Sequence, residues 1–342
     1  DRLIEWENED NIFHRRLTSR ENPSRFIRYS LYALPRSVSK YNCKEQIEFS
    51  SCSWEYGWNV KFKKSGKTLC TIYPRENYFT VLVVVGKKEK DAVKAGVLKL
   101  LKENYNIEEE DFLSAELEIV PAGKARECGI DRSMIMAYGQ DDRVCAFTSL
   151  LAMLETKDVK RTACCILVDK EEIGSVGATG MTSKFFENAV VELMDVVEGY
   201  SEVKFRRAMA NSKMLSSDVS AGFDPAYAEC FEKKNAAFLG RGIVLNKFTG
   251  ARGKSGSNDA NAEYVGALRA IFDDAKVNWQ TAELGKVDVG GGGTIAYIMS
   301  LYGMEVIDSG VPVLSMHAPW EVTSKADVYE AKKAYVAFLK NA

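Results

Sequence analysis

The sequence is poor in histidine, in proline, in charge imbalance and in long apolar runs. Among 342 residues there are two histidines, His14 and His317, and seven prolines. Two imidazoles cannot furnish a histidine-rich metal site, so any metal centre must be built mainly from carboxylates. Lys plus Arg total 46 against 48 Asp plus Glu, for a formal net charge of −2. A balance so near neutral supplies no cationic field to hold nucleic acid or an anionic membrane. The apolar runs, such as residues 80–85, stop far short of the ~20 residues that a membrane helix needs. The eight cysteines show no CxxC spacing and include the neighbours Cys164 and Cys165 in an apolar run. They read as reduced thiols, mostly buried small hydrophobes. No apolar signal core follows Asp1-Arg2-Leu3-Ile4-Glu5. The expectation is a cytoplasmic protein with no nucleic-acid and no membrane partner. What is present in quantity is core-forming material: 46% of side chains are hydrophobic, ample at this length for a substantial core.

Two unlike parts follow one another. Residues 1–90 form the first, and its opening forty are rich in arginine, with Arg15-Arg16, Arg20, Arg25 and Arg28 on a polar stretch that reads as a solvated surface segment. Period-two alternation over 58–63, the turn Lys64-Ser65-Gly66-Lys67, and apolar stretches at 68–73 and 78–85 predict a three-stranded antiparallel meander. From Asp91 to the end at Ala342 the rhythm becomes one of alternating helices and strands. Helices are expected at 92–105, 143–155, 185–197, 259–273, 294–302 and 325–340. Strands are expected at 115–120, 134–138, 163–168, 214–217, 277–281 and 311–316. That alternation predicts an α/β, three-layer sandwich with a largely parallel central sheet, preceded by a small antiparallel-β module.

In open α/β sheets, ligands bind beyond the carboxyl ends of the strands. Acidic or imidazole groups stand at several such ends. Asp141 follows the strand at 134–138, the pair Glu171-Glu172 follows the strand at 163–168, Asp218 follows 214–217, and His317 ends 311–316. Singly, each has a plain reading: Asp141 or Asp142 as a helix cap, Glu171-Glu172 as a solvated turn, His317 as an ordinary surface histidine. Together at one rim they make a set of hard oxygens plus one imidazole, which suits Zn²⁺ or a similar divalent ion.

The segments Tyr138-Gly-Gln-Asp141-Asp142-Arg143, Asp169-Lys-Glu171-Glu172-Ile-Gly-Ser175, Ser216-Ser-Asp218 with Asp224-Pro225, and Leu314-Ser-Met-His317 occur in that order. In this they resemble the M18-type metallo-aminopeptidases, the aspartyl-aminopeptidase relatives, in their bacterial branch. The resemblance runs from about Ala95 to Ala342, through Arg252–Asn261 and Gly290–Gly293. It implies a zinc-peptidase-like fold whose early strands and inserted domain are not in this sequence. Peptide substrates, one or two divalent ions (Zn²⁺, with Mn²⁺ or Co²⁺ possible) and a homo-oligomer are further implications. By the same resemblance Asp141 is the carboxylate bridging two ions, Glu172 and His317 are terminal ligands of one, and Asp218 is a ligand of the other. Glu171 is then the general base. Gly291, Gly292 and Gly293 bring backbone close to substrate, in place of the plain reading as a flexible turn. Residues from about Trp54 to Lys90 resemble a small bacterial domain of unknown function.

Two look-alikes fail. Arg252-Gly253-Lys254-Ser255 is no P-loop, because Phe248 stands where its first glycine belongs. Gly290–Gly293 does not complete a dinucleotide fingerprint, since Ile295 takes the last place. The alternative to an aminopeptidase is a non-catalytic metal-binding or scaffold remnant of the same fold. It follows from a departure: the family's early His-x-Asp motif has no counterpart here, and His14 sits in Phe13-His14-Arg15-Arg16. The 342-residue chain should therefore bind one ion well and a second poorly, with low hydrolysis of leucyl-, lysyl- and aspartyl-anilides that Mn²⁺ favours over Zn²⁺. Robust turnover with stoichiometric Zn²⁺, unchanged by His14→Ala, would contradict this.

Overall fold

A computed structural model of the chain describes residues 44–50, 57–64, 67–74, 79–83, 87–250, 255–286, 288, 291–292 and 295–342. The Arg-rich opening stretch with His14, the turn residues Ser65 and Gly66, residues 252–254 and Gly293 lie outside them. The chain divides into two compact units, Asp1–Leu117 and Glu118–Ala342.

The first unit carries a four-stranded antiparallel meander, β1 (Lys44–Ser50), β2 (Gly57–Lys64), β3 (Lys67–Pro74) and β4 (Phe79–Val83), in that spatial order. Three strands were expected; β1 is the addition, pairing with β2 from Lys44↔Lys63 to Ser50↔Gly57. Its signal was present as alternation of Ile47 and Phe49 with Gln46, Glu48 and Ser50. Helix α1 (Lys87–Tyr105) follows, starting five residues before the expected position. Its apolar stripe of Val93, Val97 and Leu100 is exposed.

The second unit has two mixed sheets. One runs β10 (Trp279–Thr281), β9 (Ile243–Asn246), β11 (Glu305–Gly310), β7 (Lys213–Ser216). The other runs β5 (Arg126–Cys128), β6 (Met134–Ala137), β13 (Glu321–Ser324), β12 (Pro312–Leu314), β8 (Ser220–Ala221). Three pairs are parallel (β10 with β9, β11 with β7, β12 with β8) and four antiparallel, so the sheets are mixed where a largely parallel one was expected. All four residues of β9 are buried, as in a strand covered on both faces. Period-two geometry in β11 sorts the helices into layers. Val306 packs with Phe205, Met209 and Met299, from α4 (Glu202–Ala210) and α6 (Ala296–Ser300). Its neighbour Ile307 faces Cys145 of α2 (Gln140–Glu155), Leu268 and Phe272 of α5 (Ala262–Asp274), and Tyr335 of α7 (Lys325–Asn341). Helix α3 (Phe185–Glu198) adds Val190, Val191 and Met194 to the first of these layers. The α/β sandwich is thus as expected.

Two expected strands do not form. Residues 115–120 and 163–168 carry no ladder pairing, and Leu117, Ile119 and Leu167 are exposed. Apolar, β-favouring composition marks a segment as suited to a sheet; a strand exists only where another backbone lies beside it.

Helix α7 locks the second unit from its first two turns. The wholly buried Asp327 carboxylate accepts the N–H groups of Gly240 (2.7 Å) and Gly242 (2.6 Å). Glu330 accepts from Asn278 N–H at 2.8 Å. Gly242, with φ of 95°, has no room for a side chain, since a Cβ there would lie 1.9 Å from the Asn278 carbonyl oxygen. Asp327→Asn turns one acceptor into a donor facing an N–H. It should cost about 1–3 kcal/mol of unfolding free energy, read as a lower urea midpoint at unchanged slope.

Candidate metal centre

Asp141 leaves the sheet at the end of β6. Gly139 takes a left-handed conformation (φ 64°), and the Arg143 guanidinium donates back to the Gly139 carbonyl at 3.0 Å. Gln140 anchors the turn: its amide donates to the carbonyls of Ile135 (3.1 Å) and Glu321 (2.7 Å) and accepts from the Thr323 hydroxyl at 2.6 Å. Asp141 and Asp142 have non-helical backbone angles within the first turn of α2, and the peptide between them is cis. Both side chains join carboxylate groups at the rim.

Glu171 and Glu172 occupy a single 3-10 turn, Glu171–Ile173, bounded by left-handed Lys170 and Gly174. Ser175 N–H closes it onto the Lys170 carbonyl at 2.7 Å. His317, also left-handed (φ 64°), follows β12. Its Nε2 lies 3.0 Å from Asp141 Oδ2 and 3.2 Å from Glu172 Oε1. The Asp141 side chain is 10% exposed, whereas those of His317 and Glu172 are 62% and 59% exposed, so this trio opens to one side. Asp141 also belongs to a second, deeper group with Asp142 and Asp218; within each group one ligand atom per residue lies within 4.8 Å of the others. Glu171 falls outside both groups.

Crowded, buried carboxylates resist ionisation. Burial, then the Glu172 charge, pushes Asp141 up to about 6, against the opposing pull of His317. Burial and the Asp218 charge hold Asp142 well above the usual carboxylate range. Burial and the Asp141 charge do the same to Asp218. Glu171 is raised by burial, then by Glu172 and Asp141. Asp142 Oδ1 is buried with no hydrogen-bond partner. A divalent cation relieves such a cluster directly. The donors fit one: two ligands at about 2.1 Å from a tetrahedral Zn²⁺ lie roughly 3.4 Å apart, close to the separations around His317 Nε2. The all-oxygen group of Asp141, Asp142 and Asp218 suits a hard ion.

The packing beneath is tight. A Cβ on Gly310 of β11 would fall 1.8 Å from the Asp218 carbonyl oxygen and 3.0 Å from Cys145 Sγ. Cys145, wholly buried, accepts Val311 N–H at 3.4 Å.

A family model described as aminopeptidase I zinc metalloprotease (M18) matches residues 73–339. The chain belongs to the M18 family. A probable M18 family aminopeptidase 1 of Clostridium acetobutylicum is 65% identical over 254 residues, 74% of this chain and 55% of that protein. Its namesake in Thermotoga maritima is 46% identical over 255 residues, 74% and 56% of the two chains. The crystal structure of aminopeptidase I from C. acetobutylicum superposes with a TM-score of 0.69 at 49% identity, covering 89% of this chain and 72% of that one. The T. maritima M18 structure gives 0.72 at 43% identity, covering 79% and 60%. The chain thus spans about half the length of the curated relatives it matches. The M18 match begins at Tyr73, so β4 and α1 lie within it.

Of the residues singled out in the sequence, the M18 chain brings Asp141, Glu172 and His317 into one group and Asp218 into the other. Gly291 has φ of 98°, and the Gly292 carbonyl accepts Gly250 N–H at 2.9 Å. Asp142, Gly310 and Glu321 were not recognised as site residues; the Asp-Asp doublet was the one available signal. Zn²⁺ at a hundredfold excess over Kd should stabilise the protein by about 2.7 kcal/mol, and Asp141→Ala should abolish this, read from the thermal midpoint. The gain should shrink as pH falls from 7 to 5. With Asp141 at about 6, binding at pH 5 must displace a proton, at about a tenfold cost in affinity. Without metal the sign reverses: a raised carboxyl is stabilised by protonation, and that contribution is lost as pH rises from 3.8 through about 6.

Proposed function

We propose that this M18 chain is a metal-dependent aminopeptidase that releases N-terminal residues from peptides in the cytoplasm, working as a homo-oligomer. One observation carries the reading. His317 Nε2 meets the carboxylates of Asp141 and Glu172 at 3.0 and 3.2 Å, while Glu171, one residue away, stays outside that group. Asp141 would be shared by two ions, with Glu172 and His317 holding the outer one and Asp218 the inner. When bound, a pair of Zn²⁺ or similar ions polarises a peptide carbonyl and acidifies water.

The remaining chemistry belongs to side chains. Glu171 stands outside both candidate ligand groups, and its carboxyl is raised by burial and by neighbouring charge. It is thereby suited to take a proton from the attacking water and hand it on. Water adds to the scissile carbonyl carbon, the C–N bond breaks, and the leaving amine departs with the proton that Glu171 carried. Backbone at Gly291 and Gly292 receives the substrate main chain; Gly293, given the same role by the family resemblance, lies outside the described residues. The exposure of His317 and Glu172 leaves an open face for the peptide.

Glu171→Gln tests the assignment. Turnover of aminoacyl-anilides should fall by about 10²–10⁴-fold, the usual contribution of a general base. Bound metal, measured by elemental analysis, should stay unchanged. Metal loss on that substitution would exchange the roles of Glu171 and Glu172.

A further inference from the structure

Beneath the candidate centre lies a buried acid that the proposed chemistry does not use. Glu321 is 2% exposed and opens β13, the middle strand of its sheet. On one side β13 pairs with β6, whose end leads to Asp141; on the other it pairs with β12, whose end leads to His317. The Glu321 side chain reaches across both exits. Its Oε2 accepts the backbone N–H of Asp141 at 3.0 Å, and its Oε1 accepts the backbone N–H of His317 at 2.8 Å. The Glu321 main chain is fixed as well, by the ladder to Ala137 and by the Gln140 amide on its carbonyl at 2.7 Å.

We propose that Glu321 is a positioning residue for the metal centre, one carboxylate that sets the separation of the Asp141 and His317 loops by binding the main chain of each. The inference rests on the reading of Asp141 and His317 as ligands. Chemistry restricts the residue type. Two N–H groups converge on the side chain from different loops, so both of its ends must accept. Glutamine presents a donor at one end, and aspartate has the two oxygens but a shorter reach. Hydrogen bonds to an ionised acceptor are also the shorter and stronger kind. Asp141 and His317 come from distant parts of the sequence, and their side chains meet at 3.0 Å. A shared acceptor on rigid sheet fixes such a distance through the main chain of both loops, although its own charge adds to the repulsion on the Asp141 carboxylate.

The test uses Co²⁺, whose visible absorption reports coordination geometry, titrated into the 342-residue protein. Wild type should bind with a band that His317→Ala abolishes. Glu321→Gln, which keeps size and shape, should weaken affinity by about 10–100-fold, the usual range for groups that orient ligands, and should alter the band. Asp327→Asn is the control. It also breaks a buried carboxylate that holds two backbone N–H groups, but away from the ligand loops, so it should lower stability and leave Co²⁺ affinity and spectrum unchanged. In metal-free wild type the amides of Asp141 and His317 should be protected from hydrogen exchange, a measurement that needs no variant to fold. Glu321→Gln with wild-type affinity and band would overturn the positioning role while leaving the centre standing. Unprotected exchange at both amides would overturn it too. Failure of wild type to bind Co²⁺ would overturn both the centre and this role.

Discussion

The second unit is organised around an electrostatic cost. Asp141, Asp142 and Asp218 are gathered within a few ångströms in an interior that disfavours their charged forms, and Glu171 and Glu172 lie beside them. Left to themselves, such groups protonate or push their loops apart. The fold opposes this with close main-chain packing and with hydrogen bonds from parts of the chain that do not repel. Gln140 ties the Asp141 turn to two strands, and Gly310 lets β11 pass against the Asp218 backbone where no side chain fits. A cluster kept together against its own repulsion is prepared for a cation before the cation arrives, the usual arrangement for a rigid metal site.

The candidate ligands come from three separate strand ends and one 3-10 turn. Asp141 follows β6, Asp218 follows β7, His317 follows β12, and the Glu171–Ile173 turn comes between α2 and α3. Each of these strands is short, and β7 lies against β11, which is buried from Val306 to Gly310. Rigid strands with short exits hold side chains more closely than long loops do. Left-handed backbone at Gly139, Lys170, Gly174 and His317 turns three of these four segments sharply. Asp327 and Glu330 on α7 use the same device as Glu321, a carboxylate spent on backbone N–H groups, to fasten loops far from the acids.

Membership of the M18 family, the α/β sandwich and the acidic centre agree with one another. Relatives at 65% and 46% identity share this fold-bearing stretch, of which the present chain covers about half their length. Within that stretch the acid cluster, the His317 exit and the sheet beneath them are all present.

Much of the fold was legible in the residues alone. The 3.6-residue periodicity marked α2, α3, α5 and α7 to within a few positions, and the meander of the first unit was apparent from period-two alternation. The order of Asp141, Glu171-Glu172, Asp218 and His317, with two histidines in the whole chain, pointed to a carboxylate-dominated centre, although the strand expected before Glu171-Glu172 does not form. Tertiary structure decided the rest. Residues 115–120 and 163–168 have strand composition and form no strand, because pairing depends on a distant backbone that no local pattern encodes. The mixed parallel and antiparallel order of the sheets is non-local for the same reason. Which of two adjacent glutamates turns toward His317 depends on left-handed Lys170 and Gly174. Glu321 has no motif around it, and its importance comes from sitting on the strand between the two ligand exits, within hydrogen-bonding reach of both. Side-chain chemistry is a local property that the sequence states outright; the separation of 3.0 Å between Asp141 and His317 is fixed by strand order, and strand order exists only in the folded sheet.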